Sequence, residues 1–192
     1  MQKWKRARTL SGIRYRSALA PHEAALLLNL GEAMIGLLDN RESSAPVDEL
    51  EELTGITTGH SEPPADPTLT RLLPDFYRPP RGEDSDEAAV SFNAAMRSLH
   101  EREIIDAKRA AAQSMLDTLP LEGGRLELTE EVANAWVAAV NDMRLTLGVL
   151  LEIGPTGATR LPEDHPHAPH YDVYQWLTVL QEYLVLALMG SR

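Results

Sequence analysis

None of the 192 residues is a cysteine. Disulfide stapling, thiolate nucleophiles, Cys-based zinc sites and thiol redox switches are therefore excluded for this sequence. Aromatic residues are scarce at 5%: two Phe, three Trp and five Tyr. Such a composition packs through Leu, Ala and Val on helices more readily than through an aromatic-rich β-sandwich. No confident membrane span is present, because Val173 to Met189 is short and is interrupted by Gln175, Gln181 and Glu182. The basic opening, Met1 to Arg16, is not followed by the apolar core and small-residue cleavage site of a secretory signal, so a cytoplasmic location is expected. Also missing are a glycine-rich phosphate loop after a strand, a nucleophile elbow and a paired-carboxylate arrangement.

The charge that is present is unevenly placed. Net charge is −11, yet Lys3, Lys5, Arg6, Arg8, Arg14 and Arg16 put six cations and no acid into the first sixteen residues. The rest holds 12 basic against 29 acidic residues, a balance of −17. An acidic body repels nucleic acid as a whole and favours basic protein partners. Phosphate contact would have to use the N-terminal segment.

The expected fold class is mainly α: a compact orthogonal helical bundle with a small N-terminal β-hairpin, in a single domain over 1–192. Residues 1–19 read as the hairpin, with Ser11-Gly12 as its turn and Ile13, Tyr15 and Leu19 alternating with Arg14 and Arg16. A lone hairpin is marginal in water and must lean on helices. Residues 20–55 read as helices: a long one from Pro21, apolar almost all round and ended by Asp39-Asn40, then a short acidic one closed by Gly55. Residues 56–87 read as a Pro-rich and acidic irregular segment, where Asp66-Pro67 starts a short helix that Pro74 stops. Residues 88–192 read as a helical bundle. Its first part is two helices joined or kinked near His100 to Arg102. A short strand follows at Leu126 to Leu128, then Thr129 as an N-cap for a helix over Glu130 to Ile153, and a last helix capped by Asp172 with Gln175. No internal repeat or long heptad series is visible.

Four constellations invite a chemical reading. His165, His167 and His170, with Glu163, Asp164 and Asp172 nearby, offer the donors zinc or iron would choose, but they alternate with prolines in a loop that does not fix their directions. His22-Glu23 and His100-Glu101 resemble acid–base couples, though adjacent helical residues point about 100° apart. The basic hairpin is the better candidate: its cations, interleaved with Trp4 and Tyr15, suit phosphate contact and base stacking, pairing with the protein's own acids, or an acidic patch on a partner. Phe76, Tyr77 and Arg78, within RLLPDFYRPP, suit an interface anchor or a clamp that seals a loop onto helices.

The stretches KWKR, SALAPHEAALLLNL, AMIGLLDNRESS, DELEELTGI, DPTLTRLLPDFYRP, SFNAAMRSLHEREIIDAKRAAA, GGRLELTEEVANAWVAAVNDMRLTLGV and YDVYQWLTVLQEYLVLALMGSR cover nearly the whole chain. Together they resemble an actinobacterial family described as a domain of unknown function, DUF2017. The resemblance implies a transcriptional regulator acting with an extracytoplasmic-function sigma factor or RNA polymerase on redox and cysteine-biosynthesis genes, with no catalytic motif. The departure from that picture is the missing thiol pair. The expectation is a regulatory protein, not an enzyme, working by protein–protein contact and holding no cofactor. DNA contact through the hairpin and a homodimer built on the apolar helices are further expectations. The alternatives are a metal-binding protein or metalloenzyme using the His165, His167 and His170 loop, and an interaction scaffold with no transcriptional role.

Overall fold

The computed structural model describes residues 2–10, 12–45, 59–80, 86–154, 157, 162 and 164–190. Among them the elements run β1 (Lys5–Thr9), β2 (Gly12–Leu19), α1 (Pro21–Ser43), α2 (Pro67–Leu72), α3 (Glu87–Leu116), β3 (Gly124–Leu128), α4 (Glu130–Leu150) and α5 (Ala168–Leu188). The protein is mainly helical with a small N-terminal sheet, as its composition suggests. Its contacts resolve into two compact units, 1–35 with 108–192, and 36–107.

In the first unit, β1, β2 and β3 form an antiparallel sheet in that order. β1 and β2 are the expected hairpin, with Thr9 opposite Gly12 and Lys5 opposite Arg16. Gly12 has φ +106°, a conformation that tight hairpin turns require and that L side chains resist. The added strand β3 pairs Leu126 with Ser17 and Leu128 with Tyr15. The period of two then puts Tyr15, Ser17, Leu19, Leu126 and Leu128 on one buried face. Trp136 of α4 is fully buried, meets Trp4 edge-on at 5.7 Å, and donates its indole N–H to the Thr118 hydroxyl at 2.8 Å. A buried indole whose N–H is satisfied suits the centre of this core.

Side-chain caps mark two of the helix starts. Thr129 accepts from the Val132 amide at the start of α4, and Asp66 accepts from the Thr68 and Leu69 amides at the start of α2. α4 ends at Leu150, short of the expected Ile153, and β3 begins at Gly124 rather than Leu126; three other departures from the sequence reading have a visible cause. α1 continues past Asp39-Asn40 to Ser43, since neither residue removes a backbone donor. α3 is one helix of 30 residues without a break near His100: it holds no Gly or Pro, and Arg97 and Glu101 pair one turn apart across the expected joint. α5 begins at Ala168, because Pro169 falls in its first turn, where a missing N–H costs nothing. Asp172 is consequently a second-turn residue and His167 the cap. The acidic helix expected before Gly55 lies mostly outside the described residues.

The second unit packs Leu38, Leu72, Leu73, Ala89 and Ile105, all buried.

Candidate functional site

The hairpin register decides what each of its cations faces. Arg14 and Arg16 lie on the face opposite Tyr15, and Glu127 of β3 sits across from Arg16. Glu127 accepts a hydrogen bond from Arg16 Nε at 2.6 Å and lies 3.9 Å from Arg14 Nε. These two cations are thus matched by the protein's own acid, on an exposed face where such pairs contribute little to stability.

The other four flank the edge strand. Lys3 places its ammonium 5.1 Å from the centre of the Tyr183 ring, a cation–π arrangement. Arg6 reaches the end of α5, where a β-carbon on Gly190 would lie 3.2 Å from its guanidinium. A helix C-terminus is the end that favours a cation. Lys5 and Arg8 are exposed and have no acid within ion-pair distance among the described residues. Between β1 and the last turns of α5 runs an open groove of about 870 Å³, whose α5 wall is Tyr183, Leu186, Ala187 and Gly190. A second groove of about 420 Å³ holds Lys3, Lys5, Arg16 and Arg125 beside Glu127. Tyr183, Leu186 and Arg125 escaped the sequence reading because their neighbours lie more than a hundred residues away.

The RLLPDFYRPP segment is fastened to α3, as the clamp reading expects. Leu72 and Leu73 are buried, and Asp75 accepts from Arg97 at 2.8 Å, so one side is a clamp. Asn93 grips the Tyr77 backbone at both its N–H, 2.8 Å, and its carbonyl, 2.9 Å. Phe76 and Tyr77 stay 36% and 45% exposed, and Arg78 is exposed. Phe92 and Leu99 of α3 are also half exposed.

An unforeseen feature lies behind that clamp. Glu101 is buried between two arginines: it accepts from Arg41 Nε at 2.8 Å and from Arg97. Arg97 also donates to the Leu73 carbonyl at 3.2 Å, and Arg41 to the Glu62 carbonyl at 2.6 Å. The i,i+4 spacing of Arg97 and Glu101 was the legible signal. Glu101 therefore forms no couple with His100, which lies 3.5 Å from Glu103 instead. Glu23 likewise turns inward from exposed His22, accepting from the Ala20 amide at 2.8 Å and the Trp176 indole at 3.1 Å. Burial pushes its carboxyl up, but the amino terminus and these donors outweigh that, and the carboxyl lies below its ordinary value.

The loop histidines form a chain of ring contacts, His165 to His167 and His167 to His170, each at 5.6 Å. Among the described residues no three His, Asp or Glu side chains converge as a metal site, and no helix is long and apolar enough to cross a membrane.

Fold and site together define a mainly helical protein with a basic sheet edge beside one helix and a half-exposed aromatic clamp on another. The family model described as domain of unknown function (DUF2017) matches residues 1–188, and the chain belongs to that family. Over 196 residues it is 70% identical to the oxidative stress regulator AosR of Mycobacterium tuberculosis (strain ATCC 25618 / H37Rv), covering all of this chain and 90% of that protein. Identity and coverage are the same for the protein of that name from Mycobacterium bovis (strain ATCC BAA-935 / AF2122/97). With the putative oxidative stress regulator AosR of Mycobacterium leprae (strain TN), identity is 62% over 195 residues. No solved structure matches the chain.

Proposed function

We propose that this protein is a regulator of the oxidative stress response that acts by gripping the transcription machinery rather than by catalysis. One observation carries the reading: 70% identity sustained over the whole chain with proteins named oxidative stress regulators. The surfaces are consistent with it. Phe76 and Tyr77 present aromatic area on a backbone held rigid by Asn93, the preorganised kind of anchor that loses little entropy on binding. Lys5 and Arg8 supply uncompensated charge that would steer an acidic partner.

A sigma factor or RNA polymerase is the partner proposed, and this sequence contains no thiol of its own to receive the oxidant signal. The test is co-purification of tagged protein from its native cell with and without oxidant. Recovery of sigma factor or polymerase subunits, in amounts that change with oxidant, is expected. A partner set lacking both would overturn the reading, as would turnover of a metabolite by the purified protein.

A further inference from the structure

We infer that the free edge of β1 and the groove beside it form a docking site for an acidic, extended peptide segment, which adds to the sheet as a fourth strand. The inference rests on the protein-contact reading above and specifies the chemistry of the partner at one surface. β1 is an edge strand, paired to β2 alone among the described residues. Alternate residues of such a strand turn their N–H and C=O groups away from the neighbouring strand, a template for strand addition. The groove along this edge is open, and its other wall is Tyr183, Leu186 and Ala187 of α5. Its charge is one-sided, with Lys3, Lys5, Arg6 and Arg8 bordering it.

Charge selects the occupant. A second copy would lay β1 against an equally basic β1, with no acid in either strand, so like charges would oppose across the new ladder. Nucleic acid would meet the −17 balance of the remaining chain. It would also find Arg14 and Arg16 already matched by Glu127. A short strand avoids both problems. Five residues of β1 span about 17 Å, enough for a partner of five or six residues. On the face that Lys5 shares with Arg16 that partner would carry Asp or Glu, and on the other face apolar side chains would lie on Tyr183 and Leu186, with an acid at the end of the strand toward Arg8.

The experiment uses the full chain and a fluorescent octapeptide alternating Asp/Glu with Val/Leu, read by anisotropy. Saturable binding that weakens with salt is expected. It should weaken about tenfold for Lys5→Glu/Arg8→Glu, whose fold is checked by circular dichroism. The same peptide N-methylated on alternate amides should not bind wild-type protein, an arm that needs no variant to fold. Absence of binding, equal binding of the N-methylated peptide, or tighter binding of a single-stranded oligonucleotide overturns the inference. So does dimerisation through this edge, seen as a concentration-dependent mass that Lys5→Glu/Arg8→Glu abolishes. If the peptide fails while sigma factor or polymerase still co-purifies, the docking site falls and the regulatory reading stands. If the peptide binds and neither co-purifies, the reverse holds.

Discussion

Replacing Glu101 with Met removes the one acid between two buried cations. In the native protein Glu101 is 2% exposed, Arg97 is 1% exposed, and the Arg41 side chain is 10% exposed. Each guanidinium keeps a carbonyl or carboxylate partner, Glu62 for Arg41 and Leu73 with Asp75 for Arg97. Neither keeps its closest counter-charge, however, and the two cations then share a desolvated space. Taking one member from a buried ion pair costs about 3–5 kcal/mol, because the remaining charge is stranded out of water. With a urea dependence of about 2 kcal/mol per molar, the unfolding midpoint should fall by roughly 1.5–2.5 M. Changing Arg97 to Met as well removes one stranded cation, so Arg97→Met/Glu101→Met should be less damaged than its single changes summed, by about 1–3 kcal/mol. Urea titration by circular dichroism measures both quantities, and amide exchange should show the loss within residues 36–107. If Glu101→Met stays within about 1 kcal/mol of wild type, or the two changes simply add, the cluster does not hold this unit together.

Thr118→Val removes the acceptor of the Trp136 indole and leaves a buried donor unpaired, which should cost about 1–3 kcal/mol and alter tryptophan emission. Gly123→Ala forces a side chain onto φ +75° and 2.7 Å from the Pro21 nitrogen, so it should destabilise by more than about 1 kcal/mol in a thermal melt. Gly36→Ala, inside α1 with nothing within 4 Å of the new carbon, should stabilise by about 0.5–1 kcal/mol. Glu23 ionises more readily folded than unfolded, so its contribution is complete above its ordinary value of 4.5 and disappears as pH falls through the lower folded value. Glu23→Gln should accordingly show its deficit in pH-dependent melts above pH 4.5, and the gap to wild type should close in acid.

Much of this structure was legible residue by residue. Alternation of Tyr15 and Leu19 with Arg14 and Arg16 marked a half-buried strand, and Thr129 and Asp66 announced helix starts by offering oxygens to unpaired amides. The stripe from Val132 to Leu150 marked α4. The family could be recognised for a related reason: its signature spreads over nearly the whole chain rather than over a few site residues. The misjudged boundaries share another cause. Asp39, Asn40 and His100 are weak helix formers, and such preferences, worth only tenths of a kcal/mol, yield to packing.

Pairings between distant residues were beyond sequence reading. Leu126 to Leu128 could be marked as a strand, but nothing local says that it joins Tyr15 and Ser17 across more than a hundred residues. Nor could Glu101 be seen to reach Arg41, sixty residues away, or Lys3 to meet Tyr183. Local order follows from steric preference and hydrogen-bond supply within one or two turns of chain, and residue types encode it directly. Which cation meets which acid, and which strand edge is left open, follows from how separate elements pack. That packing turned six similar N-terminal cations into two matched by Glu127, two held by Tyr183 and the end of α5, and two left exposed with no acid beside them among the described residues.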